Sequence, residues 1–238
     1  PPPRFGTAED GSVDAAGALA APLRMALSGP AAGARAVARW AGDAPCAIGL
    51  DMGGTTAEVS LVRHGAPLTT DRLRLGSMTL RLAALDVESI ALGGDRPLPG
   101  GGPTLAEAAR GAGWLPGQGV ASPGTLAVAE ALLAESVRRI ALRRHIHPDL
   151  SLLVAGGGFG PLFAAAVAER IGCPRVLVPA APGVLSATGL LDSAPRLAPA
   201  WRGSGEGLLE DDTSTLRIPP GWRAAQREDG ALLLERPA

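Results

Sequence analysis

The chain has 238 residues, of which 46% are hydrophobic and 19% charged, enough apolar material for one substantial domain. Its 22 basic residues, all arginine, stand against 23 acidic ones, so the net charge of −1 gives no electrostatic ground for a nucleic acid or an anionic membrane as partner. No stretch reaches the roughly 18 unbroken apolar residues of a membrane span, and no basic-plus-apolar signal segment opens the sequence; the expected setting is the cytoplasm.

The sequence opens on proline rather than methionine, as a processed or shortened product does, and residues 1–27 read as a mobile lead-in, Pro/Gly/Ala-rich and without periodicity. Ser28-Gly29-Pro30 then starts a helix, with Ser28 as N-cap and Pro30 in the first turn, running to about Trp40 before Gly42 stops it. Next comes the most informative segment, Ala47 to Val62. It reads as a buried strand, a turn of Asp51-Met52-Gly53-Gly54-Thr55-Thr56, and a second strand that alternates from Ala57 through Glu58 to Val62. Paired glycines let backbone N–H groups approach a phosphate. The hydroxyls of Thr55 and Thr56 add donors, and Asp51 at the strand end can hold a hydrated divalent cation. A Walker loop is excluded because it needs a lysine, and a dinucleotide fingerprint because its glycines open a helix. A strand-turn-strand phosphate loop fits the actin, sugar kinase and Hsp70 class of ATPase domain; the competing reading is an ordinary hairpin with a glycine turn.

Beyond His64-Gly65 the sequence leads into a further strand, Leu68 to Leu75. Residues 76–119 carry weaker signals: a short helix around Met78 to Leu85, glycine pairs and triples, and a helix from Thr104 to Ala112. Ser122-Pro123 opens the longest helix, Thr125 to about His145. The arginines crowding its end, Arg138, Arg139, Arg143 and Arg144, suit the helix dipole and read as a solvated face. His64, His145 and His147 share no metal-ligand pattern, and Cys46 and Cys173, without CxxC spacing, read as buried thiols. Leu152 to Ala155 is an apolar strand feeding Gly156-Gly157-Gly158-Phe159-Gly160-Pro161, which opens a helix to Ile171. Such a glycine run either lets a ligand lie on the backbone or permits close helix-sheet packing. A strand from Arg175 to Val178, a turn with a short helix through Pro182 to Gly189, a linker over 195–206, and strands within 207–238 complete the chain.

Four stretches, in this order, resemble the hydantoinase A and 5-oxoprolinase family, which also includes the acetone carboxylase β subunit. They are Ser28-Gly29-Pro30-Ala31-Ala32-Gly33; the hairpin from Gly49 to Val62; Gly157-Gly158-Phe159-Gly160-Pro161-Leu162; and Pro174 to Val178 with Pro182-Gly183-Val184-Leu185-Ser186-Ala187-Thr188-Gly189. The tail Pro219-Pro220-Gly221-Trp222-Arg223 is similar to the family's C-terminal β segment. The resemblance implies an α/β fold, an actin-like, ribonuclease H-like ATPase lobe over 28–194 with a small C-terminal β appendage over 207–238. It implies ATP with Mg²⁺ as cofactors and a small cyclic amide, hydantoin or 5-oxoproline-like, as substrate. On the motif positions, Asp51 and Glu58 would be catalytic, and Asp51 would also hold the metal. Gly53, Gly54, Thr55 and Thr56 would contact phosphate, and Gly157, Gly158 and Gly160 the adenosine. The family's first lobe, with its own phosphate loop, has no counterpart here, so a protein partner is expected, either that lobe or a hydantoinase B-like subunit. Glu88 and Phe163 stand where the family tends to carry histidines, and Ala57-Glu58 stands where it usually has Thr-Asp. A non-catalytic nucleotide-binding or subunit-interaction relative is the alternative.

Overall fold

The computed structural model describes residues 2–9, 11–191, 207–211 and 213–237. The linker expected over 195–206 lies outside them. In chain order the elements are β1 (Phe5–Gly6), β2 (Ser12–Val13), α1 (Ala15–Ala20), α2 (Ser28–Ala41), β3 (Cys46–Met52), β4 (Ala57–Arg63), β5 (Ala66–Pro67) and β6 (Thr69–Thr70). There follow β7 (Leu73–Leu75), β8 (Met78–Leu80), β9 (Ala84–Leu85), β10 (Val87–Ile90), α3 (Leu105–Gly111), α4 (Pro123–Arg143), β11 (Leu152–Gly156) and α5 (Gly160–Ile171). The last are β12 (Arg175–Val178), α6 (Leu185–Thr188), β13 (Gly207–Glu210), β14 (Thr215–Ile218), β15 (Arg223–Gln226) and β16 (Leu232–Glu235).

The main sheet runs β10-β4-β3-β11-β12-β16-β15, with β5 on β4. β3 and β4 form an antiparallel hairpin, β11 lies parallel to β3 and β12 parallel to β11. Three antiparallel strands followed by two parallel ones, with helices on both faces, make a ribonuclease H-like lobe of the actin-like ATPase class. Period-two alternation sorts the side chains. Ile48, Leu50 and Met52 of β3 and Val59 and Leu61 of β4 enter the larger core under α3, α4 and α5, where Leu133, Val137, Ile140 and Phe163 are fully buried. Ala47, Val62, Val154 and Leu177 point the other way, to the smaller core under α2, with Val37, Trp40 and Leu185. Asp51 and Glu58 belong by parity to this second face, so the alternation that builds the core delivers both carboxylates beneath α2 and α6.

Several expectations are corrected. Residues 2–9 and 11–27 contain the β1–β2 pairing and α1, capped by Asp14, whose side chain accepts from the Gly17 N–H at 2.8 Å. The segment docks because Ala8 is buried and bonded through its backbone to Arg24 and Leu85, pairings that no local pattern announces. The cap of α2 is Leu27, in a left-handed conformation, so Ser28 is the first helical residue rather than the cap. The helix expected around Met78 to Leu85 is replaced by β8 and β9; Gly76, at φ 59°, turns the chain so that β8 pairs back on β7. The strand expected over 68–75 is broken into β6 and β7 by the turn at Asp71 and Arg72. The arginines ending α4 are tied rather than simply solvated. Arg144 donates to Asp86 at 2.6 Å, Arg139 pairs with Glu88, and Arg143 reaches both acids. Of the C-terminal strands, β16 extends the main sheet beside β12, β15 pairs on β16, and β14 packs on α5.

Candidate functional site

The β3–β4 register places Asp51 directly opposite Glu58. Above them lies the first turn of α2, where Ala31, Ala32, Gly33 and Ala34 let the helix sit close. A β-carbon at Gly33 would lie 3.0 Å from Ser186 Oγ and 3.2 Å from Asp51 Oδ2, so glycine sets the helix at the distance at which these two groups meet. Ser186, in the first turn of α6, donates its hydroxyl to Asp51 Oδ2 at 2.5 Å. Burial pushes the Asp51 carboxyl above its ordinary range, and the Ser186 hydrogen bond partly offsets that rise. Glu58 is raised as well, mainly by burial, against the lowering hydrogen bond of Thr56 and with a further rise from the neighbouring Asp51 charge. Ser89 of β10 donates to Glu58 Oε1 at 3.1 Å.

The turn between the two strands is fastened on its carbonyl side. Gly53 N–H donates to Thr56 O at 3.0 Å, Gly94 N–H to Gly53 O at 3.0 Å and Asp95 N–H to Gly54 O at 2.7 Å. Among the described residues the N–H groups of Gly54 and Thr55 donate to no acceptor. Gly54 is half-buried and Thr55 exposed. The result is a rigid glycine turn with open amide donors and two hydroxyls, beside two carboxylates.

The glycine run after β11 is divided in its roles. Gly157, at φ 77°, needs glycine twice over: its conformation is left-handed, and a β-carbon there would run into the Met52 carbonyl and come within 2.7 Å of Asp51 Oδ1. Gly158 is half-buried, and its carbonyl accepts a 3.4 Å hydrogen bond from Ser214 Oγ. Gly160 is buried against the Leu50 carbonyl, where it serves close helix-sheet packing. The β13–β14 turn covers this glycine surface; Thr213 Oγ1 accepts from Gly183 N–H at 3.2 Å.

Of the residues standing at the family's histidine positions, Glu88 is held in ion pairs with Arg139 and Arg143, and Phe163 is fully buried with its ring edge-on to Trp114, centroids 6.2 Å apart. Neither is placed beside Asp51. Two contributors escaped the sequence reading. Ser186 had only its position in a small-residue turn as a signal, and Asp95 had only its glycine neighbours. Among the described residues no group of three or more His, Cys, Asp or Glu side chains is placed to hold a metal ion. That donor set still fits Mg²⁺, which keeps several waters and takes one or two carboxylates plus phosphate oxygens.

The sequence profile of the hydantoinase/oxoprolinase family matches residues 6–102 and 119–197, most of the chain, including Asp51, Glu58, the turn between them, the glycine run and Ser186. The chain belongs to that family. An uncharacterized protein of Methanocaldococcus jannaschii is 25% identical over 71% of this chain and 35% of its own length. Among solved structures, nucleotide-free acetone carboxylase, from a study of ATP-dependent acetone carboxylation, superposes with a TM-score of 0.64 at 18% identity, over 78% of this chain and 34% of that one. The ATP-dependent caprolactamase of Pseudomonas jessenii gives 0.53 at 19% identity, over 68% and 31%. These two likenesses establish the shared fold. This hydantoinase/oxoprolinase chain thus spans about a third of the length of the relatives it matches. No helix among the described residues is long and apolar enough to cross a membrane.

Proposed function

We propose that this chain is the phosphate-binding lobe of an ATP-dependent hydrolase of cyclic amides, hydantoin or 5-oxoproline-like, working with a partner lobe or subunit. The observation that carries the reading is the pair of buried carboxylates, Asp51 and Glu58, facing each other beside a turn whose Gly54 and Thr55 amides have no acceptor in the protein. A small lactam resists water because attack must break amide resonance. Bound ATP with Mg²⁺ would supply a phosphoryl group to the amide oxygen, which removes that resonance and opens the ring carbon to water, so that the ring C–N bond can break. The chain's own part is positioning. The Gly54 and Thr55 amides, with the Thr55 hydroxyl, donate to phosphate oxygens, while the Thr56 hydroxyl is held by Glu58. Asp51, fixed by Ser186, faces the cation. Glu58, whose carboxyl burial raises above its ordinary range, can take a proton from the attacking water and pass it to the departing ring nitrogen. Gly158, the half-buried member of the glycine run, offers backbone to the nucleoside side, whereas Gly157 is spent on packing against Met52 and Asp51. ATPases of this class close two lobes on the nucleotide, so the turn is read as one half of a site that a second lobe completes.

A second reading, a non-catalytic nucleotide-binding relative, is favoured by one observation: Glu88 and Phe163 are absorbed into ion pairs and core. Titration calorimetry with ATP and Mg²⁺ tests both. Binding by the parent chain that is abolished in Asp51→Ala and weakened less in Glu58→Ala supports the site. Unchanged affinity in Asp51→Ala overturns it. Phosphate release on adding a cyclic amide and the partner separates the hydrolase from the non-catalytic relative.

A further inference from the structure

Beside the phosphate turn the protein opens into a cavity of about 720 Å³ between β10 and the β7–β8 hairpin, within the size range of small-molecule sites, roughly 300 to 1,000 Å³. Its wall begins at the turn itself. Thr56 and Ser89, the two side chains that hydrogen-bond to Glu58, both line it. A molecule held there meets the turn at Thr56 alone and is separated from Glu58 by the Thr56 and Ser89 side chains.

The charges of this cavity are unequal. Four arginines line it, Arg72, Arg74, Arg139 and Arg143, against two carboxylates, Asp86 and Glu88. Arg139 and Arg143 are committed to those carboxylates, and Asp86 takes a further pair from Arg144. Arg72 and Arg74 form no ion pair with any described residue. They flank Leu73 at the start of the β7–β8 hairpin, and Leu73 anchors that segment in a small apolar cluster with Ala8 and Ala84. Two uncommitted guanidiniums on one rim, with Leu27 and Ile90 supplying apolar wall, match a compact ring that carries one carboxylate.

We propose that this cavity holds the ring substrate and that Arg72 and Arg74 select rings bearing a carboxylate over neutral ones. The assignment rests on reading the neighbouring turn as the nucleotide site, but its binding test does not. Saturation-transfer NMR on the full chain, with L-5-oxoproline and with 2-pyrrolidinone as its carboxylate-free counterpart, gives the two dissociation constants, and Mg²⁺-ATP affinity is measured on the same preparation. The expected result is at least about tenfold tighter binding of L-5-oxoproline, the factor a charge-assisted hydrogen bond supports. In the Arg72→Ala/Arg74→Ala variant that ratio falls to near one, with the melting temperature and Mg²⁺-ATP affinity unchanged. Arg223→Ala, on the far edge strand, keeps the ratio. Equal affinities in the parent, a ratio retained in the double variant, or absence of L-5-oxoproline binding would each overturn the proposal. Absence of Mg²⁺-ATP binding by the parent chain, with its preference for L-5-oxoproline present, overturns the nucleotide reading instead.

Discussion

Gly157→Ala tests whether the glycine run after β11 is there for the ligand or for the framework around Asp51. Two costs add. A left-handed alanine costs about 1–2 kcal/mol, and its methyl would run into the Met52 carbonyl, a backbone atom held by the Phe159 N–H at 2.9 Å and therefore slow to yield. Overpacking of this kind costs about 1–3 kcal/mol, so the expected loss is about 2–5 kcal/mol. With a urea dependence of about 3 kcal/mol per molar for a chain of this size, the unfolding midpoint falls by roughly 0.7–1.7 M. Gly53→Ala is the matched control: its β-carbon meets nothing within 4 Å, so stability stays within about 0.5 kcal/mol of the parent. That methyl nevertheless stands on the phosphate turn, and Mg²⁺-ATP affinity falls. Urea melts followed by circular dichroism, with calorimetric titration of both variants, decide the matter. A Gly157→Ala protein that unfolds at the parental midpoint would refute the reasoning.

Asp51 gives a prediction with a defined sign. Its folded carboxyl is raised, so the folded protein binds that proton more tightly than the unfolded chain does. The associated stability is fully present below the unfolded value and is lost as pH rises through the folded one. Asp51→Asn removes this loss. At pH 7 the variant is more stable than the parent by about 1 kcal/mol, the advantage closes as pH falls into the range where Asp51 protonates, and Mg²⁺-dependent nucleotide binding disappears. Thermal melts between pH 4 and 8 check it, and a variant less stable than the parent at pH 7 would contradict it. For Phe163→Ala, loss of a fully buried ring facing Trp114 predicts about 3–5 kcal/mol of destabilisation in urea melts. Installing the family's histidine as Phe163→His leaves an imidazole in the apolar core, lowers stability by about 1–3 kcal/mol, and gives no gain in phosphate release.

What the sequence revealed, and what it hid, follows from how local each interaction is. The β3–β4 hairpin was legible because alternation on both sides of a glycine turn fixes strands, turn and the facing of Asp51 together. β11, β12 and the long α4 were legible from their apolar runs and spacing, and α3 was expected from Thr104 to Ala112; its start is fixed by a capping box of Thr104 and Glu107. The segment from Met78 to Leu85 was not, since its apolar residues fit a short helix and a strand equally, and Gly76 decides between them by pairing β8 with β7. The attachment of β16 beside β12 depends on partners more than 50 residues apart, as does the docking of Ala8. Within the site, Asp51, Glu58 and the turn were visible. Ser186 was not assigned a role, because 135 residues separate it from the carboxylate it meets. The cavity with Arg72 and Arg74 was hidden because Leu68 to Leu75 reads locally as one strand, whereas the pairing of β6 with β9 around the β7–β8 hairpin is set by residues beyond it.

The measurement that bears most directly on the account is a crystal structure of this chain grown with Mg²⁺ and a non-hydrolysable ATP analogue. The account predicts phosphate oxygens within hydrogen-bond distance of the Gly54 and Thr55 amides and a hydrated cation facing Asp51. A nucleotide seated elsewhere, or phosphates on the turn with Asp51 still engaged only by Ser186 and no cation before it, would contradict the account.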